Sequence, residues 1–357
     1  AMWQIHDPPN FREQWMDGQY QVSMAIELVS TEGKVDFYLR IARGQRGVVE
    51  SAIYSQYPEV ELEEVEDYTK QLPPDIPNKE WEMWGTSYIL GKPDVYPIKT
   101  YKDFFEDTSF RDEEQRIDPM AQLIEGLSRL GKDEHMWIQF SMKPVTQDED
   151  NYYERGQEII DKLAKRPEKK KKSTLFDDVR TVTRGVAVGD FEDINGEEAP
   201  RPVMNPDLQL TPGERNTIAA IEHKIGKFGF VAHSRFAYIA KREVYSSPAK
   251  TLAMAYFTQF STQDLNTFRP LRPTITKSYT FKWALFDKRR TFMRKRHLMR
   301  MYRLRLPPFF PKGGGSFFLS IEELATIFHF PGRVTATTAV DSIPSKKGEA
   351  PSGLPVE

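Results

Sequence analysis

The sequence predicts an α+β protein built from two related subdomains, and three patterns support this. Several segments alternate apolar and polar residues with the period of two that strands require. Others place apolar residues three and four positions apart, as amphipathic helices do. A proline-capped helix followed by a strand occurs twice, beginning at Asp118 and at Thr211. We therefore expect antiparallel sheets with packed helices, of the ferredoxin-like split type.

The first predicted elements are a β-hairpin and a helix. Apolar residues alternate over 20–28 and 35–41, and Gly33 between them can adopt the positive φ of a tight turn. Helical spacing then predicts a helix over 49–57, which Pro58 ends.

The acidic stretch 60–68 alternates again and is predicted to form a third strand. Glu59, Glu61 and Glu63 would share one face, where solvation is a better explanation than binding of a metal ion. Further strands are predicted over 82–93 and 95–101.

Two capped helices, each followed by a strand, form the repeated unit. The first begins at Asp118 and precedes a strand over 135–144. The second begins at the capping box of 211–214 and precedes a strand over 228–245.

These patterns divide the chain into six parts. They are a connector from an upstream segment (1–17), a first, acidic subdomain (18–146), a helix and mobile charged linker (147–208), a second subdomain (209–281), a long basic helix (282–306), and a glycine-rich hinge with a short helix and an extended tether to a further domain (307–357).

Charge is unevenly distributed, although the formal net charge is only -2. Residues 1–150 contain 15 Lys and Arg against 30 Asp and Glu, whereas the remainder contains 35 against 22. The cationic second half indicates a polyanion, an anionic membrane surface or an acidic partner. Two solvated surfaces of opposite sign explain the asymmetry equally well.

Catalytic motifs are absent from the sequence. It contains no P-loop, no dinucleotide-binding glycine motif, no nucleophile elbow and no His-Glu-x-x-His pair. The absence of cysteine also excludes thiolate metal sites and thiol catalysis. We therefore expect no catalytic residue, no metal site and no cofactor.

The most informative segment is 288–305, where nine of 18 residues are Lys or Arg and none is Asp or Glu. Like charges lie four residues apart and repel one another, so an external anion would stabilise this helix. The residues predicted to bind nucleic acid or anionic lipid are Lys288, Arg289, Arg290, Phe292, Arg294, Lys295, Arg296, Arg300, Tyr302, Arg303 and Arg305. The two aromatic side chains would stack on bases or enter a bilayer interface. Packing against the acidic first subdomain is the structural alternative.

A short amphipathic helix follows the hinge, with Ser320 and Glu323 as its capping box. Leu324, Ile327 and Phe328 form its apolar stripe. We expect this stripe to contact a further domain of the same polypeptide, and the alternative is that it packs on its own domain.

Five segments together resemble one family. They are VVESAIYSQYPEVELEEVEDY, DPMAQLIEGLSRLGKDEHMWIQFSMKPV, TPGERNTIAAIEHKIGKFGF, FTQFSTQDLNTFRP and LSIEELATIFHFPGR. They resemble the region ahead of the motor in type IV secretion or conjugative DNA-transfer ATPases of small uncultured bacteria, and the resemblance extends with gaps over 20–355. It implies a membrane anchor before this region and a RecA-like ATPase with a P-loop after it. The nucleotide-binding residues of that family have no counterpart here.

The expected function is a non-catalytic accessory domain of a membrane-associated, DNA-translocating ATPase, serving assembly, channel docking and substrate guidance. Expected partners are DNA, the downstream ATPase domain, secretion-channel proteins and an anionic membrane surface, with formation of a homo-oligomer left open. The full-length protein would lie at the cytoplasmic face of the cell membrane, and this fragment would be soluble. The alternative is a free-standing nucleic-acid-binding module with ferredoxin-like sheets.

Overall fold

The computed structural model describes residues 2–8, 12, 16, 21, 23–58, 60–105, 118–164, 210–277, 287–307 and 315–330. The strands in this part of the chain are β1 Met24–Thr31, β2 Lys34–Arg40, β3 Trp81–Leu90, β4 Glu134–Val145, β5 Gly229–Lys241, β6 Phe268–Pro270 and β7 Phe317–Ser320. The α-helices are α1 Arg46–Tyr54, α2 Tyr101–Phe105, α3 Ala121–Ser128, α4 Tyr152–Leu163, α5 Pro212–Ile225, α6 Thr251–Thr258, α7 Asp287–Leu304 and α8 Ile321–Ile327.

One antiparallel sheet contains all of these strands, which confirms the predicted α+β class. The strand order is β2-β1-β4-β5-β3-β6, and β7 pairs with the beginning of β5. Strand β4 comes from the predicted first subdomain and β5 from the second. They pair from Glu134–Ala240 to Val145–Gly229, so the two ranges contribute to a single sheet.

The predicted turn between β1 and β2 is confirmed. Glu32 and Gly33 have φ of 55° and 88°, as a two-residue turn between antiparallel strands requires. A Cβ on Gly33 would lie 2.7 Å from the carbonyl oxygen of Ser128 and 2.8 Å from that of Leu130. Glycine therefore also allows the turn to pack against the end of α3.

One face of the sheet packs in the main hydrophobic core. Because side chains alternate along a strand, Ile26, Ile138 and Phe236 lie on the same face. They are buried together with residues of α1, α3, α6 and α8.

Helix α7 covers part of the opposite face. Leu298, Met299 and Tyr302 are buried there in a second hydrophobic cluster that includes Trp137 of β4. A Cβ on Gly85 of β3 would lie 2.6 Å from Leu298 Cδ2, so this glycine permits the close approach of the helix to the sheet. A third cluster joins α4, α5 and β7.

The prediction of a strand over 60–68 is wrong. Its alternation is real, because Val60 and Leu62 are partly buried against the main core whereas the glutamates between and after them are exposed. The described residues of this segment nevertheless form no ladder with another strand. Glu64 instead accepts a hydrogen bond from Arg46 of α1 at 2.6 Å. Alternation here reflects a half-buried extended chain without a strand partner.

The prediction of a strand over 95–101 is also wrong. Side chains satisfy backbone groups that a strand would use for pairing. Tyr96 O accepts from Asn266 Nδ2 at 3.1 Å, and Ile98 N donates to Glu323 Oε1 at 2.8 Å. These residues therefore form an ordered loop against the ends of other elements.

The two predicted capping boxes are confirmed. Thr211 and Glu214 form one at α5, and Ser320 and Glu323 form the other at α8. Each capping box satisfies amide groups that a helix start leaves without an intrahelical partner. Helix α3 begins after Met120, two residues later than the N-cap predicted at Asp118, and Asp118 Oδ1 accepts from the backbone N–H of Met120 at 2.7 Å.

The predicted contact stripe of α8 lies in this chain's own core. Leu324 and Ile327 are 7% and 0% exposed, and Phe328 packs against the same core and edge-on against Phe37. The alternative, that this stripe packs on its own domain, is therefore correct. These residues are not exposed for contact with a further domain.

A buried ion pair also holds α8 against α5. Lys224 Nζ lies 2.9 Å from Glu323 Oε2, and both side chains are 1% exposed. The same carboxylate accepts backbone N–H groups of Ser320 and Ile98. Because one charge without the other would be left buried and unpaired, this contact makes α8 an integral part of the fold.

Several predicted segments lie outside the described residues. They are 165–208 of the predicted linker, residue 209 and 278–281 of the predicted second subdomain, 282–286 at the start of the predicted basic helix, 308–314 of the predicted hinge, the tether from 331 onward and parts of the connector 1–17.

We predict that Ile327→Asp strongly lowers the melting temperature. Its side chain is fully buried, and an uncompensated charge in a core costs about 3–5 kcal/mol. The matched control is Ile321→Asp in the first turn of the same helix, where the side chain is 43% exposed and the expected effect is within about 0.5 kcal/mol. Equally small effects of both changes would show that Ile327 lies at a surface.

Candidate nucleic-acid interface

Helix α7 carries the basic segment predicted from the sequence. Its buried residues are Thr291, Leu298, Met299 and Tyr302, which recur at helical spacing and mark one inward face. At about 100° per residue, the nine cations cannot all lie on the opposite side. The structure therefore divides the predicted binding residues into inward, flanking and outward groups.

Arg305, directly after the helix, is buried and paired with two carboxylates. Its Nε donates to Glu27 Oε1 at 2.8 Å and its Nη1 donates to Asp67 Oδ2 at 2.7 Å. Its Nη2 donates to the second oxygen of each carboxylate at 3.1 Å. Burial alone would lower the pKa of Arg305, but these hydrogen bonds raise it. The prediction that Arg305 binds an external anion is therefore wrong, because its donors are already used.

Glu27 is the centre of the buried polar cluster around Arg305. Its side chain is 1% exposed and also accepts from Gln139 Nε2 at 2.7 Å and from Tyr68 OH at 2.8 Å. The Tyr68 hydroxyl lies 3.0 Å from that of Tyr302. Burial, together with the negative charge of Glu27, raises the pKa of both tyrosines. They therefore remain neutral hydrogen-bonding groups at physiological pH.

The predicted stacking role of Tyr302 is wrong. Its side chain is 0% exposed and its ring packs at 5.5 Å from that of Trp137. Its backbone carbonyl also accepts from Gln139 Nε2 at 3.1 Å. Helical spacing from Leu298 places Tyr302 on the inward face, so it stabilises the contact between α7 and the sheet.

A row of polar side chains crosses the sheet beneath the end of α7. Glu27, Gln139 and Arg235 occupy paired positions on β1, β4 and β5. Arg235 is 1% exposed and donates to the carbonyl of Leu306. Burial lowers the pKa of Arg235 to about 10, so the residue stays cationic at neutral pH. The row therefore fixes the chain immediately beyond the helix.

The backbone of Arg305 also ends the helix. Its φ is 54°, in the left-handed region that glycine usually occupies after a helix. Its N–H donates to the carbonyl of Tyr302 at 3.0 Å. A residue other than glycine costs about 1–2 kcal/mol in this conformation. The ion pairs of its side chain offset that cost.

Cations on the flanks of α7 also contact the chain itself. Lys295 Nζ donates to Glu82 Oε1 at 2.7 Å. Arg303 donates to the backbone carbonyls of 72–73 at 3.2 and 2.6 Å. Arg294 donates to a carbonyl of the segment after β6 at 3.4 Å. For Lys295 and Arg303, the structural alternative of packing against the acidic first half is therefore correct.

The outward basic face of α7 consists of Lys288, Arg289, Arg290, Arg296 and Arg300. Four of them are exposed and Arg296 is partly exposed. None of these five side chains forms an ion pair within the part of the chain that the structure describes. The outward basic face is thus the portion of the predicted site that remains available to an external anion.

Exposed apolar side chains lie beside the outward basic face. Phe292, Met293 and Leu304 are 41%, 59% and 47% exposed. The guanidinium of Arg296 lies 5.1 Å from the centre of the Phe292 ring, a cation–π contact. The surface therefore combines positive charge with apolar area.

Sequence reasoning missed the residues that hold α7 in place, namely Glu27, Asp67, Gln139 and Arg235. Each interrupts an apolar pattern or follows an acidic run, which are also features of solvent-facing positions. The usable signal was a large polar residue in the middle of a strand, but it does not identify a partner at the far end of the chain.

Two features are absent from the described residues. Among them, no three His, Asp or Glu side chains are grouped so that they could hold a metal ion. No helix in the described ranges has both the length and the apolar composition needed to cross a bilayer.

We predict that Asp67 contributes stability that is lost in strong acid. Burial raises the pKa of Asp67, but hydrogen bonds from Arg305 and Thr69 hold it at about 2, below the ordinary value of 3.8. The folded state therefore binds the proton more weakly than the unfolded state. The stabilisation is complete above pH 3.8 and disappears as the pH falls towards 2.

The measurement compares melting temperatures of the parent chain and Asp67→Asn from neutral pH into acid. At neutral pH the variant should melt at a lower temperature than the parent chain. This difference in melting temperature should shrink as the pH falls from about 4 towards 2. Asp264→Asn removes an exposed carboxylate without an ion pair in the described structure and serves as the control. A deficit of Asp67→Asn that stays constant through this range would contradict the assignment.

Comparison with known proteins identifies one family. Residues 10–343 match the family DUF8128, described as a domain of unknown function. No curated protein and no solved structure matches the chain. Since the match covers most of the sequence, the chain belongs to the DUF8128 family.

Proposed function

We propose that this chain is a non-catalytic module that binds DNA phosphates through the outward basic face of α7. In this proposal it is an accessory domain of a DNA-translocating ATPase at the cytoplasmic face of the membrane, as the resemblance to conjugative ATPases implies. Its further partners would be the ATPase domain, secretion-channel proteins and other copies of the chain.

A single observation carries this proposal, namely that the outward cations lack internal partners while the inward and flanking ones contact carboxylates or backbone carbonyls of the chain. Arg305 and Lys295 bind carboxylates of the sheet and its surroundings. Arg289, Arg290 and Arg300 extend from the same ordered helix with no such partner in the described structure. A polyanion would relieve their mutual repulsion and release its own counterions.

Phosphate contact is expected to be largely independent of sequence. Contacts from arginine and lysine to the phosphate backbone position a protein on DNA but carry no base information directly. The outward positions of α7 include no Asn or Gln, the side chains that pair bidentately with adenine. The module would therefore guide DNA and would not select a site.

A second candidate is an anionic membrane surface. The exposure of Phe292, Met293 and Leu304 beside the cations favours it, because interfacial helices combine apolar and basic residues in this way. A free-standing nucleic-acid-binding module would use the same surface as the first proposal. A P-loop domain encoded downstream in the same gene would distinguish an accessory domain from a free-standing one.

We predict that the chain binds a short labelled duplex with an affinity that falls with salt. If three to five cations contact phosphates together, the slope of log affinity against log salt should be about -3 to -4.5. Arg289→Gln, Arg290→Gln and Arg300→Gln combined should weaken binding to all sequences alike and reduce the slope by up to about three. Fluorescence anisotropy over a salt series measures both quantities.

The matched control removes three exposed cations elsewhere, by Lys70→Gln, Lys79→Gln and Lys132→Gln. It changes the net charge equally, so it should leave most of the affinity and the slope intact. Equal binding by the α7 variant and the parent would contradict the proposal. Binding of the parent to anionic vesicles alone, lost in the α7 variant, would instead establish the membrane candidate.

A further inference from the structure

A cavity of about 390 Å³ lies where β3 ends and β6 begins, and no residue of α7 lines it. Its lining residues carry amine, guanidinium, hydroxyl or amide groups and include no carboxylate. They are Lys92, Ser261, Thr262, Gln263, Thr267 and Arg269. A ligand with several negatively charged oxygens fits this set of donors better than any cation.

The backbone at two cavity-lining residues is held by Asn266, whose side chain is fully buried. Its Oδ1 accepts from the backbone N–H groups of Lys92 and Thr267, both at 2.9 Å. Its Nδ2 donates to the carbonyls of Lys92, Pro93 and Tyr96 at 3.0 to 3.3 Å. Two cavity-lining residues are therefore fixed by one side chain before any ligand arrives.

Gly91 brings two donor groups together above its own backbone. A Cβ on this residue would lie 2.6 Å from Thr267 Oγ1 and 2.7 Å from Arg269 Nε. Such contacts require a neighbour to move, so the hydroxyl and the guanidinium can occupy these positions only because the residue is glycine. The space above Gly91, between these two donor groups, would be filled by a larger side chain.

The two cations at the cavity have little internal neutralisation. Lys92 Nζ donates to the carbonyls of Gln263 and Asp264, which are neutral acceptors. Arg269 forms no hydrogen bond or ion pair through its side chain within the described residues. The residue is exposed, and its donors stay free.

We propose that this cavity binds the phosphate group of a phosphate monoester. The guanidinium of Arg269 and the hydroxyl of Thr267 would hold two phosphate oxygens, with Lys92 and the hydroxyls of Ser261 and Thr262 at the rim. A tetrahedral dianion can accept from donors in several directions, whereas a planar carboxylate uses fewer of them. This site is separate from the outward basic face of α7 and goes beyond the proposed function.

The test titrates the chain with inorganic phosphate and with phenyl phosphate, followed by the amide NMR signals of Gly91, Lys92 and Thr267. Arg269→Gln should weaken binding about tenfold or more, as the loss of a charge-assisted hydrogen bond does. Gly91→Ala should weaken it less than Arg269→Gln, because its Cβ would shift Thr267 Oγ1 and Arg269 Nε but both side chains can move. Arg272→Gln, an exposed arginine nearby that does not line the cavity, is the matched control and should bind like the parent.

Equal affinity of Arg269→Gln and the parent would overturn the proposal, as would an absence of shifts at these amides. The triple α7 variant should bind phenyl phosphate normally, so failure of the DNA proposal and failure of this one remain distinguishable. Competition by a 5′-phosphorylated oligonucleotide, compared with its 5′-hydroxyl form, identifies the source of the phosphate. Competition indicates a nucleic-acid end and its absence indicates a small ester, and both results support the site.

Discussion

The ion pairs of Arg305 with Glu27 and Asp67 determine how α7 lies on the sheet. Arg305 and Glu27 are 278 positions apart in the chain, and their contact joins the end of a helix to a central strand. Removing Arg305 would leave the charge of Glu27, whose side chain is 1% exposed, buried and uncompensated, at a cost of about 3–5 kcal/mol. Because both contacts are bidentate, they restrict rotation of the helix about its axis as well as its position. The left-handed backbone of Arg305 is maintained by the same contacts.

That fixed rotation gives the two sides of α7 different roles. Leu298, Met299 and Tyr302 face the sheet, and Lys295 and Arg303 reach acceptors at its margins. The outward basic face consists of the remaining cations of the helix, for which the sheet and its surroundings provide no partner. The basic segment is thus both a structural element and a candidate binding surface. A binding partner would meet a preformed row of cations and would not have to order the helix.

Local features of the sequence predict the elements of this fold better than their partners. The β1–β2 turn at Gly33 and the caps at Thr211 and Ser320 depend on neighbouring residues, and the structure confirms them. The prediction of a strand over 60–68 failed because alternation reports half-burial but not pairing with another strand. The stripe of α8 and the inward cations of α7 were misassigned for a related reason. Their partners, including Glu27 for Arg305 and the main core for Ile327, lie far away in sequence. A local sequence pattern therefore cannot show whether a cation already has an ion-pair partner or whether an apolar stripe is already buried.

The most direct test of this account is the rate at which each arginine of α7 reacts with phenylglyoxal in the native protein, measured by mass spectrometry. Arg289, Arg290 and Arg300 should react rapidly. Arg305 should be protected and react about as slowly as the fully buried Arg235. In a Glu27→Gln variant the reactivity of Arg305 should rise while that of Arg300 stays unchanged. Reaction of Arg305 as fast as Arg300 in the parent chain would show that the helix is not held by Glu27 and Asp67, and the division of its cations into paired and free groups would be wrong.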